Sequence, residues 1–242
     1  QLESAITPKT KLLILCSPSN PTGSVYSQEE LAALADVVKQ HDGLYVLADE
    51  IYEHINYIGR YASIAKVDGM KERTIVVNGV SKAYAMTGWR IGYIAAPEWI
   101  VKGCNKLQGQ YTSGPCSVSQ KAAEAAYTLG QVCIEEMRKA FERRRNLIVR
   151  LAKDIPGLEV NEPQGAFYLF PKCSSFFGKS DGMTTIHNAT DFALYLLDKA
   201  HVATVSGDAF GAPECFRMSY ATSDENIKEA MCRIKEALEK LK

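Results

Sequence analysis

Four polar segments carry residue types that can do chemistry, and each comes directly after an apolar run. The segments lie at 19–23, 48–52, 81–90 and 216–220. They supply an amide, a carboxylate, a phenol, an amine and two guanidinium groups, at Asn20, Asp49, Tyr52, Lys82, Arg90 and Arg217. A lysine amine can attack a carbonyl group, and the arginine fork meets a phosphate or carboxylate at two points. Taken singly, each segment is more typical of a turn, a helix cap or a surface charge than of a functional site.

The apolar runs in the first part of the chain predict the strands that position three of these segments. The runs are short and almost continuously apolar, at 11–16, 44–48, 74–78 and 91–95. That texture is typical of strands in a sheet covered on both faces. A capping box at Ser27 and Glu30 predicts a helix after the first strand. We therefore predict an α/β layer with a mainly parallel sheet, whose carboxyl edge gathers the polar segments.

The second half of the chain has a different texture. A helical stretch runs from 117 to about 155, where Pro156 and Gly157 end it. Beyond it, strands are predicted at 158–160, 166–170, 202–205 and 216–220. Helices are predicted at 189–200, capped by Asn188 or Thr190, and at 224–241, capped by Ser223. The predicted organisation is a large domain with a linking helix at 1–150 and a smaller α+β domain at 151–242.

The composition narrows the classes of function. The 242 residues include 28 basic and 28 acidic side chains, so the net charge of zero predicts no nucleic-acid partner and no anionic lipid surface. No apolar run approaches the roughly 20 residues that cross a bilayer. The seven cysteines are scattered and odd in number, which argues against a disulfide framework or a metal site. With no signal-peptide pattern at the start, we expect a cytoplasmic protein.

Taken together and in order, the polar segments resemble one family. The stretch 79–92 matches the lysine signature of the class I and II aminotransferases, which are fold-type I enzymes that use pyridoxal 5'-phosphate. Asn-Pro-Thr-Gly at 20–23 and Asp-Glu-Ile-Tyr at 49–52 precede it in the family's order, and Arg217 follows in Phe-Arg-Met-Ser-Tyr-Ala. Gly-Ala-Phe-Tyr and Gly-Asp-Ala-Phe-Gly, which begin at Gly165 and Gly207, also look like family segments. Within the family, the chain is most similar to the bacterial-type aspartate aminotransferases.

The resemblance implies a role for each candidate residue. The residues implied to bind the cofactor are Asn20, Asp49, Tyr52, Ser81, Lys82 and Arg90. Lys82 would tether it and move a proton, Asp49 would keep its ring nitrogen protonated, and Arg90 would pair with its phosphate. Lys82, Asp49 and Tyr52 are the implied catalytic residues. Arg217 and Asn20 are implied to hold the α-carboxylate of an amino acid substrate.

The sequence also departs from the family pattern. Members often carry a hydroxyl residue three positions before the lysine, where this chain has Gly79; Ser81 is a hypothetical substitute. Ser206 stands where proline is common. The chain resembles only the C-terminal part of family members, about 60% of their length. We therefore expect a partial large domain with exposed apolar surface, little activity of the isolated piece, and a homodimer for the full-length protein.

Three readings of function remain open on the sequence. The favoured one is transfer of an amino group between an L-amino acid, with aspartate or glutamate preferred, and a 2-oxo acid; aromatic, prephenate-type and alanine-type specificities stay open. A lyase or cyclopropane-forming synthase with the same cofactor would share Lys82, Asp49 and Arg90. A non-enzymatic regulator built on the same scaffold is the third reading. Zero net charge and the lack of a helix-turn-helix segment argue against it.

Overall fold

The computed structural model describes residues 1–129 and 131–242, which form two compact units. Unit 1 comprises Gln1–Pro18 and Val25–Arg138, and unit 2 comprises Ser19–Ser24 and Lys139–Lys242. The sequence places a domain boundary after residue 150, and that boundary stays a prediction. Nothing in the composition indicates that Ser19–Ser24 belongs to unit 2, because this segment is held there by hydrogen bonds to residues far along the chain.

Unit 1 is built on a four-stranded sheet in chain order. Its strands are β1 (Leu12–Cys16), β2 (Tyr45–Asp49), β3 (Thr74–Gly79) and β4 (Gly92–Ala95). The first three are parallel, and β4 runs antiparallel to β3. The predicted mainly parallel sheet is therefore confirmed, with each strand within one residue of its expected bounds at either end.

One face of this sheet packs against helix α2 (Gln28–Lys39), which follows the short helix α1 (Leu2–Ala5). The predicted capping box is confirmed, because Ser27 Oγ accepts from Glu30 N at 3.1 Å and Glu30 Oε2 accepts from Ser27 N at 2.8 Å. The buried apolar residues of this core come from α2, from the strands and from the loops beside them: Leu15, Leu31, Ala35, Val38, Leu44, Val46, Ala48, Ile64 and Met70.

The opposite face of the sheet differs from the prediction that both faces are covered. Because strand side chains alternate, Leu12 and Ile14 point away from the α2 core, and they are 41% and 70% exposed. Trp99 packs edge-on against Tyr45, with ring centroids 5.6 Å apart. Cover on both faces is thus wrong for β1, whereas the expectation of exposed apolar surface agrees with Ile14.

Three further helices follow the sheet along the chain. They are α3 (Glu98–Tyr111), α4 (Ser117–Leu129) and α5 (Gln131–Lys153). The sequence predicts the last two as one helical stretch and does not predict α3. The division between the units falls within α5, after Arg138. Among the residues that the structure describes, no helix combines the length and apolarity needed to cross a membrane.

Unit 2 contains the part of α5 from Lys139 onward, a small antiparallel sheet and two further α-helices. Strands β5 (Tyr168–Leu169), β6 (Val205–Ser206) and β7 (Phe216–Ser219) pair in the order β5-β7-β6. Helix α6 (Ala189–Tyr195), capped by Asn188, widens into a π-helical turn at Leu196–Ala200, and α7 (Asp224–Leu238) is capped by Ser223. Phe192 of α6 is fully buried, with its ring centroid 5.4 Å from Phe176 and 4.8 Å from Phe216.

The predicted strands of unit 2 are longer than the observed ones for local reasons. Ala166 has a φ of 56°, which is incompatible with a strand, so the run at 166–170 reduces to β5. The strand predicted at 158–160 is wrong, because only Glu159 forms a bridge, to Lys172. His201 ends the π-helical turn in the left-handed region, and the strand expected from 202 begins only at Val205.

Candidate active site

The carboxyl edge of the unit 1 sheet brings together the chain positions that lead to four candidate residues. Cys16 pairs with Asp49, and Asp49 pairs with Val77, so the first three strands end in one row. Gly79 at the end of β3 pairs with Gly92 at the start of β4. The turns that carry Tyr52, Lys82 and Arg90 therefore leave or enter the sheet at this same edge.

Lys82 and Tyr52 are close to each other on this edge. Tyr52 follows β2 and is 3% exposed, while Lys82 lies in the turn after β3 and is half-buried. The Lys82 ammonium lies 5.8 Å from the centroid of the Tyr52 ring. Asp49 is also half-buried, and its Oδ1 accepts a hydrogen bond from Ile51 N at 3.2 Å. An amine, a carboxylate and a phenol are thus held on one edge by short turns.

Arg90 enters β4 from a strained turn. A 3-10 turn at Thr87–Trp89 precedes it, and Arg90 itself has a φ of 53°, in the left-handed region that non-glycine residues rarely adopt. Its Nη1 donates to the Thr87 carbonyl at 2.8 Å, and the residue is exposed. Backbone strain of this kind clusters at binding sites, and it therefore agrees with the prediction that Arg90 binds a ligand.

The backbone approach at Gly79 explains one departure from the family pattern. A Cβ at Gly79 would lie 2.9 Å from both Gly92 Cα and Ile91 O. No hydroxyl side chain fits at this position unless β3 and β4 separate. Ser81 is half-buried two residues further on, and its substitution for the missing hydroxyl stays a prediction.

Glu50, directly after Asp49, anchors the end of β2. It is 6% exposed, and its Oε1 accepts a hydrogen bond from Ser63 Oγ at 2.5 Å. Burial raises the pKa of Glu50 above its ordinary value, and the bond from Ser63 only partly opposes that effect. The neighbouring Tyr61 donates to the Ser17 carbonyl at 3.2 Å, and burial beside Glu50 raises the pKa of its phenol. This network fixes the backbone on which Asp49 is carried.

In unit 2, the guanidinium of Arg217 lies close to two aromatic rings. Its guanidinium carbon is 4.6 Å from the centroid of Tyr168 and 5.0 Å from that of Phe210. Its Nη1 donates to Asn20 Oδ1 at 2.8 Å. The structure thus brings together the two residues implied to hold a carboxylate, and only one of the five guanidinium N–H groups is engaged by Asn20.

The segment that carries Asn20 is held against the rest of unit 2 by backbone and side-chain hydrogen bonds. Gly23 O accepts from the amides of Gln164 and Gly165, each at 2.8 Å. A Cβ at Gly23 would lie 2.5 Å from Pro163 Cβ, and its φ is 70°, so only glycine fits. Asn161 Nδ2 donates to the Thr22 carbonyl at 2.8 Å.

A second short segment positions Phe210. The 3-10 turn Gly207–Phe210 begins at Ser206, whose Oγ accepts from Asp208 N at 3.3 Å. The hydroxyls of Ser206 and Thr190 donate to Asp208 Oδ2 at 2.7 and 2.8 Å, and these bonds lower the pKa of Asp208. The serine that departs from the family's proline therefore caps this turn.

The structure assembles the predicted residues in two groups, and their assigned roles stay predictions. Asp49, Tyr52, Lys82 and Arg90 lie on the carboxyl edge of unit 1, and Asn20 and Arg217 contact each other in unit 2. Sequence reasoning gave no role to Tyr168, Phe210 or Asn161. The first two lie in segments that the resemblance singles out, but nothing in their spacing indicates that both rings meet one guanidinium.

Comparison with known proteins places these two groups in context. The sequence profile of the family described as aminotransferase class I and II matches residues 1–234. A bifunctional aspartate aminotransferase and glutamate/aspartate-prephenate aminotransferase from Petunia hybrida is 51% identical, and an aspartate aminotransferase from Rhizobium meliloti strain 1021 is 46% identical, each over 100% of this chain. The crystal structure of the aspartate aminotransferase from Rhizobium meliloti matches with a TM-score of 0.95 at 46% identity. An aromatic aminotransferase from Pyrococcus horikoshii OT3 matches with a TM-score of 0.89 at 42% identity.

These matches cover nearly all of this chain but only part of the related proteins. The two structures align with 100% and 98% of this chain and with 61% and 62% of their own. The chain likewise spans 51% of the Petunia hybrida relative and 60% of the Rhizobium meliloti relative. The predicted transferase fold, with a mainly parallel sheet and a smaller α+β part, is confirmed. The chain belongs to the class I and II aminotransferase family.

Proposed function

We propose that the protein is a pyridoxal 5'-phosphate-dependent aminotransferase that moves an amino group between an L-amino acid and a 2-oxo acid. The observation that carries this proposal is the set of groups on the carboxyl edge of unit 1. An amine, a carboxylate, a phenol and a guanidinium are the donors and acceptors that this cofactor requires, and Lys82 Nζ lies 5.8 Å from the Tyr52 ring centroid.

The residues of unit 1 fit the cofactor group by group. When bound, pyridoxal phosphate supplies an electron sink for the bond that is broken at the substrate's α-carbon. The carboxylate of Asp49 is the partner for a protonated ring nitrogen, and the phenol of Tyr52 is a donor for the ring oxygen. Arg90 offers a permanent planar cation to the phosphate. Lys82 supplies the amine that tethers the cofactor and acts as the base at the α-carbon.

Unit 2 supplies the groups that recognise the substrate. Arg217 has donors left to bind a carboxylate at two points, because Asn20 takes only one of them. The Asn20 amide uses its oxygen for Arg217, so its Nδ2 is the donor that it offers to a cofactor or substrate oxygen. Holding the carboxylate fixes the orientation of the α-carbon. Such positioning lowers the activation free energy by several kcal/mol. Both relatives are named aspartate aminotransferases, and the Petunia hybrida relative is also named a glutamate/aspartate-prephenate aminotransferase, which favours aspartate as the amino donor.

The proposal is tested by amino exchange in the full-length gene product. With added pyridoxal phosphate, aspartate and 2-oxoglutarate, we expect oxaloacetate and glutamate to form in equal amounts. Lys82→Ala should abolish the borohydride-reducible link to the cofactor and lower turnover at least about a hundredfold, because it removes both the tether and the base.

Lys102→Ala is the matched control for the loss of a lysine. Its ammonium is exposed on α3 and pairs with Glu98 at 2.7 Å, so we expect wild-type turnover and wild-type cofactor content. A reducible link retained at another lysine in the Lys82→Ala variant would contradict the assignment. Release of a side-chain fragment in place of amino exchange would favour a lyase and overturn the proposed reaction.

A further inference from the structure

Asn161 joins two elements of unit 2 through the two ends of one side-chain amide. Its Nδ2 donates to the Thr22 carbonyl at 2.8 Å, and its Oδ1 accepts from Phe170 N at 3.0 Å. The residue is half-buried. Because both ends of the amide are engaged, its orientation is fixed by hydrogen bonds on both sides.

Each partner of Asn161 leads directly to a residue that contacts the Arg217 guanidinium. Thr22 lies two residues after Asn20, which accepts from Arg217 Nη1. Phe170 follows β5. Tyr168 lies on β5, and its ring is one of the two aromatic walls beside the Arg217 guanidinium. The Phe170 ring also packs edge-on against Phe210, the second wall, with centroids 5.8 Å apart.

The loop that carries Asn161 is itself held from α5. Arg145 Nη1 donates to the Pro163 carbonyl at 2.7 Å, and the Arg145 side chain is only 12% exposed. Gln164 and Gly165, which come next, donate to Gly23 O. These hydrogen bonds anchor the loop on the C-terminal side of Asn161.

We propose that Asn161 is a positioning residue for the carboxylate site: it sets Asn20 and the two aromatic walls in register around the Arg217 guanidinium. It touches neither substrate nor cofactor and acts through the backbone at Thr22 and Phe170. This inference rests on the proposed aminotransferase function for the identity of the ligand. The hydrogen bonds themselves do not depend on that function.

Asn161→Asp tests the proposal in the full-length gene product loaded with pyridoxal phosphate. The substitution keeps the acceptor for Phe170 N but replaces the donor to Thr22 O with an oxygen. We expect the KM for aspartate and the Kd of a non-reacting dicarboxylate, succinate, to rise roughly tenfold, in the range of one lost buried hydrogen bond. The affinity for pyridoxal phosphate should fall by a smaller factor than the affinity for succinate, because Asn20 is the one implied cofactor-binding residue on the loosened segment and the other five lie in unit 1.

Amide hydrogen exchange gives a readout that needs no activity. The amides of Gln164 and Gly165 should exchange roughly tenfold faster in Asn161→Asp, since the segment at Ser19–Ser24 is held less firmly. Asn226→Asp is the matched control, because it removes one side-chain donor to Thr222 Oγ1 at the start of α7. It should leave KM, succinate binding and exchange at Gln164 and Gly165 unchanged. Asn161→Leu is a stronger variant, because it removes both hydrogen bonds of the side chain. If it does not fold, the results for Asn161→Asp alone decide whether the proposal holds.

Two results would overturn the inference. One is wild-type exchange and wild-type succinate affinity in Asn161→Asp. The other is a parallel loss of succinate and cofactor affinity, which would make Asn161 a general structural residue. Failure of the wild-type protein to exchange amino groups counts against the proposed function alone. In that case succinate binding and amide exchange still decide whether Asn161 positions the Arg217 site.

Discussion

Arg217 is a charged side chain whose surroundings restrict what it can bind. Its guanidinium carbon lies 4.6 Å from the ring centroid of Tyr168 and 5.0 Å from that of Phe210, so aromatic surface takes part of its surroundings and an anionic ligand binds through its N–H groups. Contact with the two rings also restricts rotation of the Arg217 side chain before any ligand binds. Less conformational entropy is therefore lost on binding than for an arginine in solvent. A planar cation held in this way favours a planar anion that meets it edge to edge, which is the shape of a carboxylate.

Glu50 gives a prediction about pH and stability. Burial raises its pKa in the folded protein, so between the ordinary pKa of a glutamate and the raised value the folded state binds more protons than the unfolded state. The free energy of unfolding therefore falls as pH rises through that window. Glu50→Gln stays neutral and keeps an oxygen for Ser63, so it should lack this loss of stability. Urea unfolding at a series of pH values from about 4 to 8 measures the difference.

Glu98→Gln is the control for this comparison. Glu98 lies on α3 with 80% of its side chain exposed, so its substitution should leave the pH dependence of the free energy of unfolding as in the wild type. A Glu50→Gln variant that follows the wild-type pH dependence throughout would show that Glu50 is not the titrating group.

At the scale of elements, the junction of β3 and β4 leaves no room for a side chain. A Cβ at Gly79 meets backbone atoms of Ile91 and Gly92, which cannot rotate away as a flexible side chain could. Gly79→Ser should therefore lower the free energy of unfolding by about 1–3 kcal/mol. It should also weaken binding of pyridoxal phosphate, because the strand pair that leads to Lys82 and Arg90 must separate. Thermal unfolding and cofactor titration measure the two effects.

Gly103→Ser is the control for this prediction. Gly103 lies in α3, where a Cβ meets nothing within 4 Å, and the substitution should leave cofactor affinity unchanged. If Gly79→Ser instead bound pyridoxal phosphate more tightly, the hydroxyl would be accommodated and the steric account of Gly79 would be wrong.

Elements with a strong local signal could be predicted from the sequence. Strand β2 has a continuous apolar run and appears within one residue of its expected bounds, and helix α2 begins at Gln28, directly after the predicted cap Ser27. Strand β5 is shorter than predicted, because the left-handed backbone at Ala166 is set by tertiary contacts and has no apolar signature. The pairing of Asn20 with Arg217 could be expected only from the family resemblance, since it joins distant parts of the chain.

At the scale of the whole molecule, the two units have separate cores. Leu31 is 2% exposed in the core beneath β1 and β2, and Phe192 is fully buried against Phe176 and Phe216 in unit 2. Phe216 precedes Arg217 on β7, so the core of unit 2 lies directly under the proposed carboxylate site. Asp49, Lys82 and Arg90, which are proposed to bind the cofactor, belong instead to unit 1.

This separation predicts that a cavity in one core destabilises mainly its own unit. Phe192→Ala should lower the free energy of opening by about 3–5 kcal/mol for amides of unit 2, and Leu31→Ala by about 2–5 kcal/mol for amides of unit 1. Amide hydrogen exchange in mild urea resolves the two sets of residues. Because Phe192 supports β7, Phe192→Ala should lose affinity for the amino acid substrate at a lower urea concentration than affinity for pyridoxal phosphate. Leu31→Ala should show the reverse order. An equal drop at every protected amide in either variant would mean that the two cores unfold together and do not support the cofactor and substrate residues separately.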